Sequence, residues 1–274
     1  PNFTTSTSAG VAHTVNSTGT TTTITGDAPD PSVTGQAITV AFTVTGPAPI
    51  PTGNVTASDG VVSCTVALNV SGTGSCNLVP TTAGVKTITA TYAGDVLHGG
   101  STSIGVAHTV NAAATAATIT NDTPDPSNVN AAYTVSFSVA AVAPGSGTPT
   151  GNASVSDGAA SCSGALTAGA GSCSLTSTTA GAKTLTATYL GDANYAASPA
   201  SAGAAHTVNP FATTTTIGAD TPDPSQVGQN YSVPVTVAST GGTPTGTVTV
   251  SDGAATCSIT LSGGTGSCSL ASAT

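Results

Sequence analysis

The sequence predicts an all-β protein: a tandem array of small β-sandwiches with about seven short strands each and one disulfide hairpin per repeat. Three observations carry this reading. A cysteine-bearing stretch recurs, in which Cys64/Cys76, Cys162/Cys173 and Cys257/Cys268 each follow a Ser-Asp-Gly turn and enclose a glycine-rich tip between two short alternating runs. Cys64 lies 98 positions before Cys162, and Cys162 lies 95 before Cys257, a period of one small domain. Elsewhere apolar residues alternate with period two, as half-buried strands require, and no segment carries a helical period.

Taken in order, residues 1–16 (PNFTTSTSAGVAHTVN) match the endings LHGGSTSIGVAHTVN and NYAASPASAGAAHTVN of later units and are expected to be the last strand of a preceding repeat. Repeat 1 then covers 17–111 and repeat 2 covers 112–209. Repeat 3, 210–274, is incomplete, because it lacks the counterpart of AGAKTLTATYLGD at Ala180–Asp192; the chain is expected to continue. Each unit opens with a strand around Ile24, Ile119 or Ile217. Next, Ile38, Val40, Phe42 and Val44 alternate with polar or small residues, as do Tyr133, Val135, Phe137 and Val139, and then Tyr231, Val233, Val235 and Val237. These define one buried face. TGNVTAS, TGNASVS and TGTVTVS follow, with Val55, Val155 and Val248 inward, and the two cysteine strands come after them. KTITATY and KTLTATY then place Ile88, Ala90 and Tyr92, or Leu185, Ala187 and Tyr189, inward before the HTVN strand.

Composition narrows the function classes. The 274 residues hold only two basic side chains, Lys86 and Lys183, against eleven aspartates, for a net charge of −9. Phosphate neutralisation needs clustered Lys or Arg, so nucleic-acid binding is excluded. No window supplies the roughly 18 consecutive apolar residues of a membrane helix, so no membrane insertion is expected within this segment. Six regularly paired cysteines point to an oxidising compartment, extracellular or at the cell surface. Closing a loop of this length contributes on the order of 3 kcal/mol, a large share of a small domain's stability. Only eleven positions separate His108 from Ile119, or His206 from Ile217, with no Gly/Ser tether between them. Consecutive sandwiches are therefore expected to stack end to end as a semi-rigid rod, with neighbouring repeats as partners and further copies as candidates in a fibre.

Together, TITNDTPDPS, GTPTGTVTVSDGAATCS, GGTGSCSL, TTAGAKTLTATYLGDANY and AAHTVN resemble the bacterial immunoglobulin-like repeats of group 3 of large secreted and surface proteins. The resemblance covers essentially the whole chain and implies a β-sandwich used as a stalk, adhesin segment or fibre module. Two hallmarks of antibody-type domains are missing: there is no tryptophan, and the cysteines are expected to sit in a hairpin and not on the strands that face each other across the core.

Candidate chemistry is sparse. Aspartates recur at turn positions, where Asp-Pro and Asp-Gly set backbone angles and the carboxylate caps its own loop. Sandwich topology also suggests that Asp27, Asp30 and Asp59 gather at the lower end of one unit near Asp192 at the top of the next, an oxygen-donor set suited to calcium at a repeat joint. Lys86 and Lys183 share their strands' inward parity, with the stem packed and the ammonium reaching water, or alternatively joined to an Asn or Asp by an isopeptide bond. His13, His108 and His206 occupy one repeat position and read as structural, since equivalent positions lie a domain apart. No catalytic residue, no cofactor and no metal ligand is assigned, and no unique Ser/His/Asp set stands out. The function expected is a non-enzymatic extracellular structural segment: a stalk, adhesin or self-assembling fibre. A ligand- or glycan-binding adhesin module is the alternative, and strand exchange with a neighbouring copy a third possibility.

Overall fold

The computed structural model describes residues 2–271. Among these there are strands and no helix, hence no helix long and apolar enough to cross a membrane. Repeat 1 holds β1 (Thr21–Ala28), β2 (Ser32–Val33), β3 (Ile38–Thr45), β4 (Asn54–Ser58), β5 (Ser63–Ala67), β6 (Thr73–Leu78), β7 (Gly84–Tyr92), β8 (Ser101–Thr102) and β9 (Val106–Asn111). Repeat 2 holds β10 (Thr115–Thr123), β11 (Ser127–Asn128), β12 (Ala132–Ala141), β13 (Asn152–Ser156), β14 (Ser161–Ala165), β15 (Ala170–Thr176), β16 (Gly181–Tyr189) and β17 (Ala204–Asn209). The remainder holds β18 (Thr213–Ile217), β19 (Asn230–Ser239), β20 (Thr247–Ser251), β21 (Thr256–Thr260) and β22 (Thr265–Ala271).

Each complete repeat is two facing sheets. In repeat 1, β1-β3-β6 form one layer and β2-β9-β7-β4-β5 the other, with β8 beside β7; repeat 2 repeats this as β10-β12-β15 against β11-β17-β16-β13-β14. β2 and β11 run parallel to β9 and β17, so the chain leaves the first layer after β1 or β10 and joins the second. Period-two alternation fills the space between. Ile38, Val40, Phe42 and Val44 of β3 meet Val55, Ala57, Ile88, Ala90 and Tyr92 of the opposite sheet, all buried. Tyr133, Val135, Phe137 and Val139 meet Val155, Leu185, Ala187 and Tyr189 in the same way. The third unit has its own smaller cluster around Val233, Val235, Val237, Ile259 and Leu270, while Tyr231 and Val248 are only partly buried. Its sheets are β18-β19-β22 and β20-β21, so among the described residues β20 lacks the second neighbour that β4 and β13 have in β7 and β16.

The cysteine stretch turns tightly and then splays. In repeats 2 and 3 a two-residue tip, Ala168-Gly169 or Gly263-Gly264, takes positive φ at both positions, the turn that matches strand twist. Repeat 1 carries one residue more, with Gly72 in the left-handed region, which accounts for its Cys separation of 12 against 11. Beyond the tip the strands part: β5 pairs with β4 and β6 with β3. Cys64–Cys76 and Cys162–Cys173 therefore tie the two sheets together at one edge, and Cys257–Cys268 does so between β21 and β22; the expectation that the cysteines would not lie on strands of facing sheets is corrected, because the two strands part beyond the turn.

Residues 2–16, expected to be the closing strand of a preceding repeat, form no strand and are exposed. The physical reason is pairing. The matching strands β9 and β17 are held between β7 and β2, or β16 and β11, and this segment has no such neighbours here.

Candidate functional site

One polar cluster in the core of each complete repeat is a three-residue relay centred on a buried histidine. β9 alternates inward at His108 and Val110, and β2, its parallel neighbour, brings Ser32 to the same face. Asp27 arrives from the opposite layer because β1 carries a bulge between Ile24 and Gly26, which shifts the parity so that Asp27 lies opposite the inward-facing Val40. His108 Nδ1 lies 2.8 Å from Asp27 Oδ2, and its Nε2 lies 2.8 Å from Ser32 Oγ. The arrangement is consistent with Nδ1–H donating to the carboxylate and the serine hydroxyl donating to Nε2. Asp30 Oδ1 accepts from the Thr109 N–H at 3.0 Å and lies 3.5 Å from the same Nδ1. Repeat 2 reproduces this with Asp122, His206, Ser127 and Asp125, at 2.6, 2.9 and 3.5 Å from the ring nitrogens, after the same bulge between Ile119 and Asn121. There the Tyr133 ring stacks on His206 with centroids 3.9 Å apart. The relay ties three strands across both layers. Each charge-assisted bond contributes about 1.5–3 kcal/mol.

This relay is what sequence reasoning missed. His108 and His206 read as structural, but their partners were not identified, and the joint recurrence of D-x-P-D-P-S and A-H-T-V-N in each complete unit was the available signal. Despite its Asp-His-Ser composition the relay offers no nucleophile to solvent, since Ser32 is 1% exposed and Ser127 2%.

The four aspartates expected to converge on calcium do not do so. Asp27 and Asp30 lie together with His108, the three donor atoms falling within 4.8 Å of one another, but Asp59 and Asp192 are not members of that group. Asp59 Oδ1 caps its own turn at the Val61 and Val62 N–H groups. Asp192 Oδ2 accepts from the Thr150 N–H and hydroxyl, and its Oδ1 from the N–H groups of Asn194 and Tyr195. Burial pushes the Asp192 carboxyl up, but these donors outweigh it and hold the group down to about 2. Lys86 and Lys183 donate to Thr82 and Thr179 at 2.6 Å, on the same strand's approach. Among the described residues neither makes an ion pair.

The joint between repeats 1 and 2 is closed by direct contact. Ser146 Oγ donates to the Gly35 carbonyl at 2.7 Å, and the Ala83 N–H donates to Asn194 Oδ1 at 3.0 Å. The connector is strapped as well: Thr34 N–H donates to Asn111 O, Ala113 N–H to Asn194 O and Ala196 N–H to Ala113 O. Gly35 has φ +77°, and a Cβ there would lie 2.4 Å from Ser146. Asp192 shapes this joint indirectly, by holding the loop that presents Asn194. At the upper end of repeat 1, His98 replaces Tyr195: its Nε2 lies 3.0 Å from the Pro47 carbonyl, as the Tyr195 hydroxyl lies 3.0 Å from that of Ser146.

No curated protein sequence matches this chain. Similar solved structures include invasin, a bacterial integrin-binding protein, at 18% identity over 93% of this chain and 55% of that one, with a TM-score of 0.49. A 1.5-MDa bacterial ice-binding adhesin is similar at 19% identity over 93% of this chain and 86% of the other, with a TM-score of 0.30. A Ca2+-stabilised adhesin with which an Antarctic bacterium binds ice is similar at 19% identity over 94% and 66%, also at 0.30. The chain thus spans just over half of the invasin structure. Residues 24–111 and 119–209, well over half of the sequence, match the bacterial Ig-like domain family of group 3, and each matched stretch carries one relay and one disulfide. The chain belongs to that family.

Proposed function

We propose that this chain is a non-enzymatic spacer, a segment of the stalk of an extracellular, cell-surface adhesin, with units at 17–111, 112–209 and 210–274. The observation that carries the reading is the joint: two side-chain hydrogen bonds and a strapped connector hold repeat 1 on repeat 2 without a flexible tether. A buried relay whose serine is closed to solvent supports structure rather than turnover. Small-angle scattering together with particle imaging tests the proposal. Separate extended rods of constant length are the expected result, and a broad distribution of bend angles between repeats 1 and 2 would overturn it. The same images distinguish single rods from copies bundled into a fibre. The glycan-binding alternative draws little from the groove of about 460 Å³ at the upper end of repeat 1, which is lined by Val15, Ala48, Pro49, Val96, Leu97 and His98 and offers no Phe or Tyr for a sugar to stack on.

A further inference from the structure

We infer that each complete repeat carries a site for a divalent 3d cation of the zinc class, formed by Asp27, Asp30 and His108 in repeat 1 and by Asp122, Asp125 and His206 in repeat 2. With metal–ligand bonds of about 2.0–2.1 Å, adjacent donors lie about 2.9 Å apart in octahedral and about 3.3 Å apart in tetrahedral geometry. His108 Nδ1 is 2.8 Å from Asp27 Oδ2 and 3.5 Å from Asp30 Oδ1, a spacing that brackets both values. In repeat 2 the distances are 2.6 and 3.5 Å. All three donor atoms of each group lie within 4.8 Å of one another, so modest side-chain movement would bring them around one ion.

The surroundings fit such an ion. Each imidazole is buried and held through Nε2 by a serine, and Asp30 and Asp125 are oriented by the N–H groups of Thr109 and Thr207, so both kinds of ligand have an outer partner. Asp30 is 40% and Asp125 39% exposed, which leaves a path for entry and positions for water. No lysine pairs with these four aspartates among the described residues, so each pair of carboxylates faces only an imidazole in a chain of net charge −9. The nitrogen ligand selects zinc-class ions over calcium. With a neutral ring, binding moves the Nδ1 proton to Nε2, and the serine oxygen turns from donor to acceptor; no oxidant or further reactant is involved.

Calorimetric titration of the full chain with Zn2+ tests this. The expected result is two ions per chain, falling to one for Asp30→Asn and to none of comparable affinity for Asp30→Asn combined with Asp125→Asn. Asn keeps an oxygen for the Thr109 or Thr207 N–H, so the fold is preserved, as circular dichroism checks. Loading the unaltered chain with Cu2+ and recording its paramagnetic resonance gives a second readout, with coupling to one nitrogen per ion expected. Absence of binding, binding unchanged by the double substitution, absence of nitrogen coupling, or displacement of Zn2+ by an equal concentration of Ca2+ would each overturn the assignment.

Discussion

Asp59 and Asp157 occupy the same turn of successive repeats, yet only one of them is fully partnered. Asp157 Oδ2 accepts from Ser177 Oγ, which also lies 3.0 Å from the Tyr133 hydroxyl. Asp59 Oδ2 is buried without a donor. Pro80 is the reason: Gly35 N–H donates to the Pro80 carbonyl as Asn130 N–H donates to that of Ser177, so the proline stands in the serine's place and has no hydroxyl to offer. A buried acceptor left unpaired costs about 1–3 kcal/mol. Replacing a proline returns entropy to the unfolded chain, which offsets about 0.4–1 kcal/mol of the gain. Pro80→Ser is therefore expected to stabilise repeat 1 by about 1 kcal/mol, or about 4–8 °C in its melting temperature. The reciprocal Ser177→Ala is expected to destabilise repeat 2 by about 1–3 kcal/mol. Scanning calorimetry of the full chain, with hydrogen exchange resolving the repeats, measures both. The reasoning is refuted if Pro80→Ser leaves repeat 1 unchanged or weaker while the Gly35 amide keeps its protection.

Three further outcomes are expected. Reduction of the disulfides, whose cysteines are 11 or 12 positions apart, lowers the stability of each repeat by about 3 kcal/mol, read as a drop in urea midpoint. Gly35→Val places a branched side chain at φ +77° against Ser146, breaks the Ser146–Gly35 bond and widens the bend distribution at the first joint in small-angle scattering; an unchanged distribution would remove the joint as the source of stiffness. His98 is raised above its ordinary value, first by the Pro47 carbonyl and then by Asp95, against the opposing effect of burial. Its contribution is therefore complete below the unfolded histidine value of about 6.5 and is lost as pH rises through the folded value. Repeat 1 should weaken as pH rises above about 6.5, and His98→Tyr should flatten that dependence, as denaturation across pH would show.

Much of the fold was legible because its signals are local. Period-two alternation identified the inward faces of β3, β7, β12 and β16, since a strand's side-chain direction is set by its own backbone. The candidate site was less legible. Asp27 follows the parity of β1 only until the bulge, and one extra residue turns it from the outer face to the inner. The calcium quartet failed for a related reason: loop amides hold Asp59 Oδ1 and Asp192 Oδ1 within their own turns, although Asp59 Oδ2 stays unpaired.

The amino-acid order alone determined the repeat length, the alternating strands, the cysteine partners and the scarcity of cationic side chains, because each depends on residues close in the chain or simply on composition. Tertiary structure alone decided that the cysteine strands part into opposite sheets, that Asp27 meets His108 across 81 positions, and that Ser146 closes on Gly35 across 111. Such contacts are fixed by how two layers and two repeats pack, and packing is a property of the assembled chain rather than of any stretch within it.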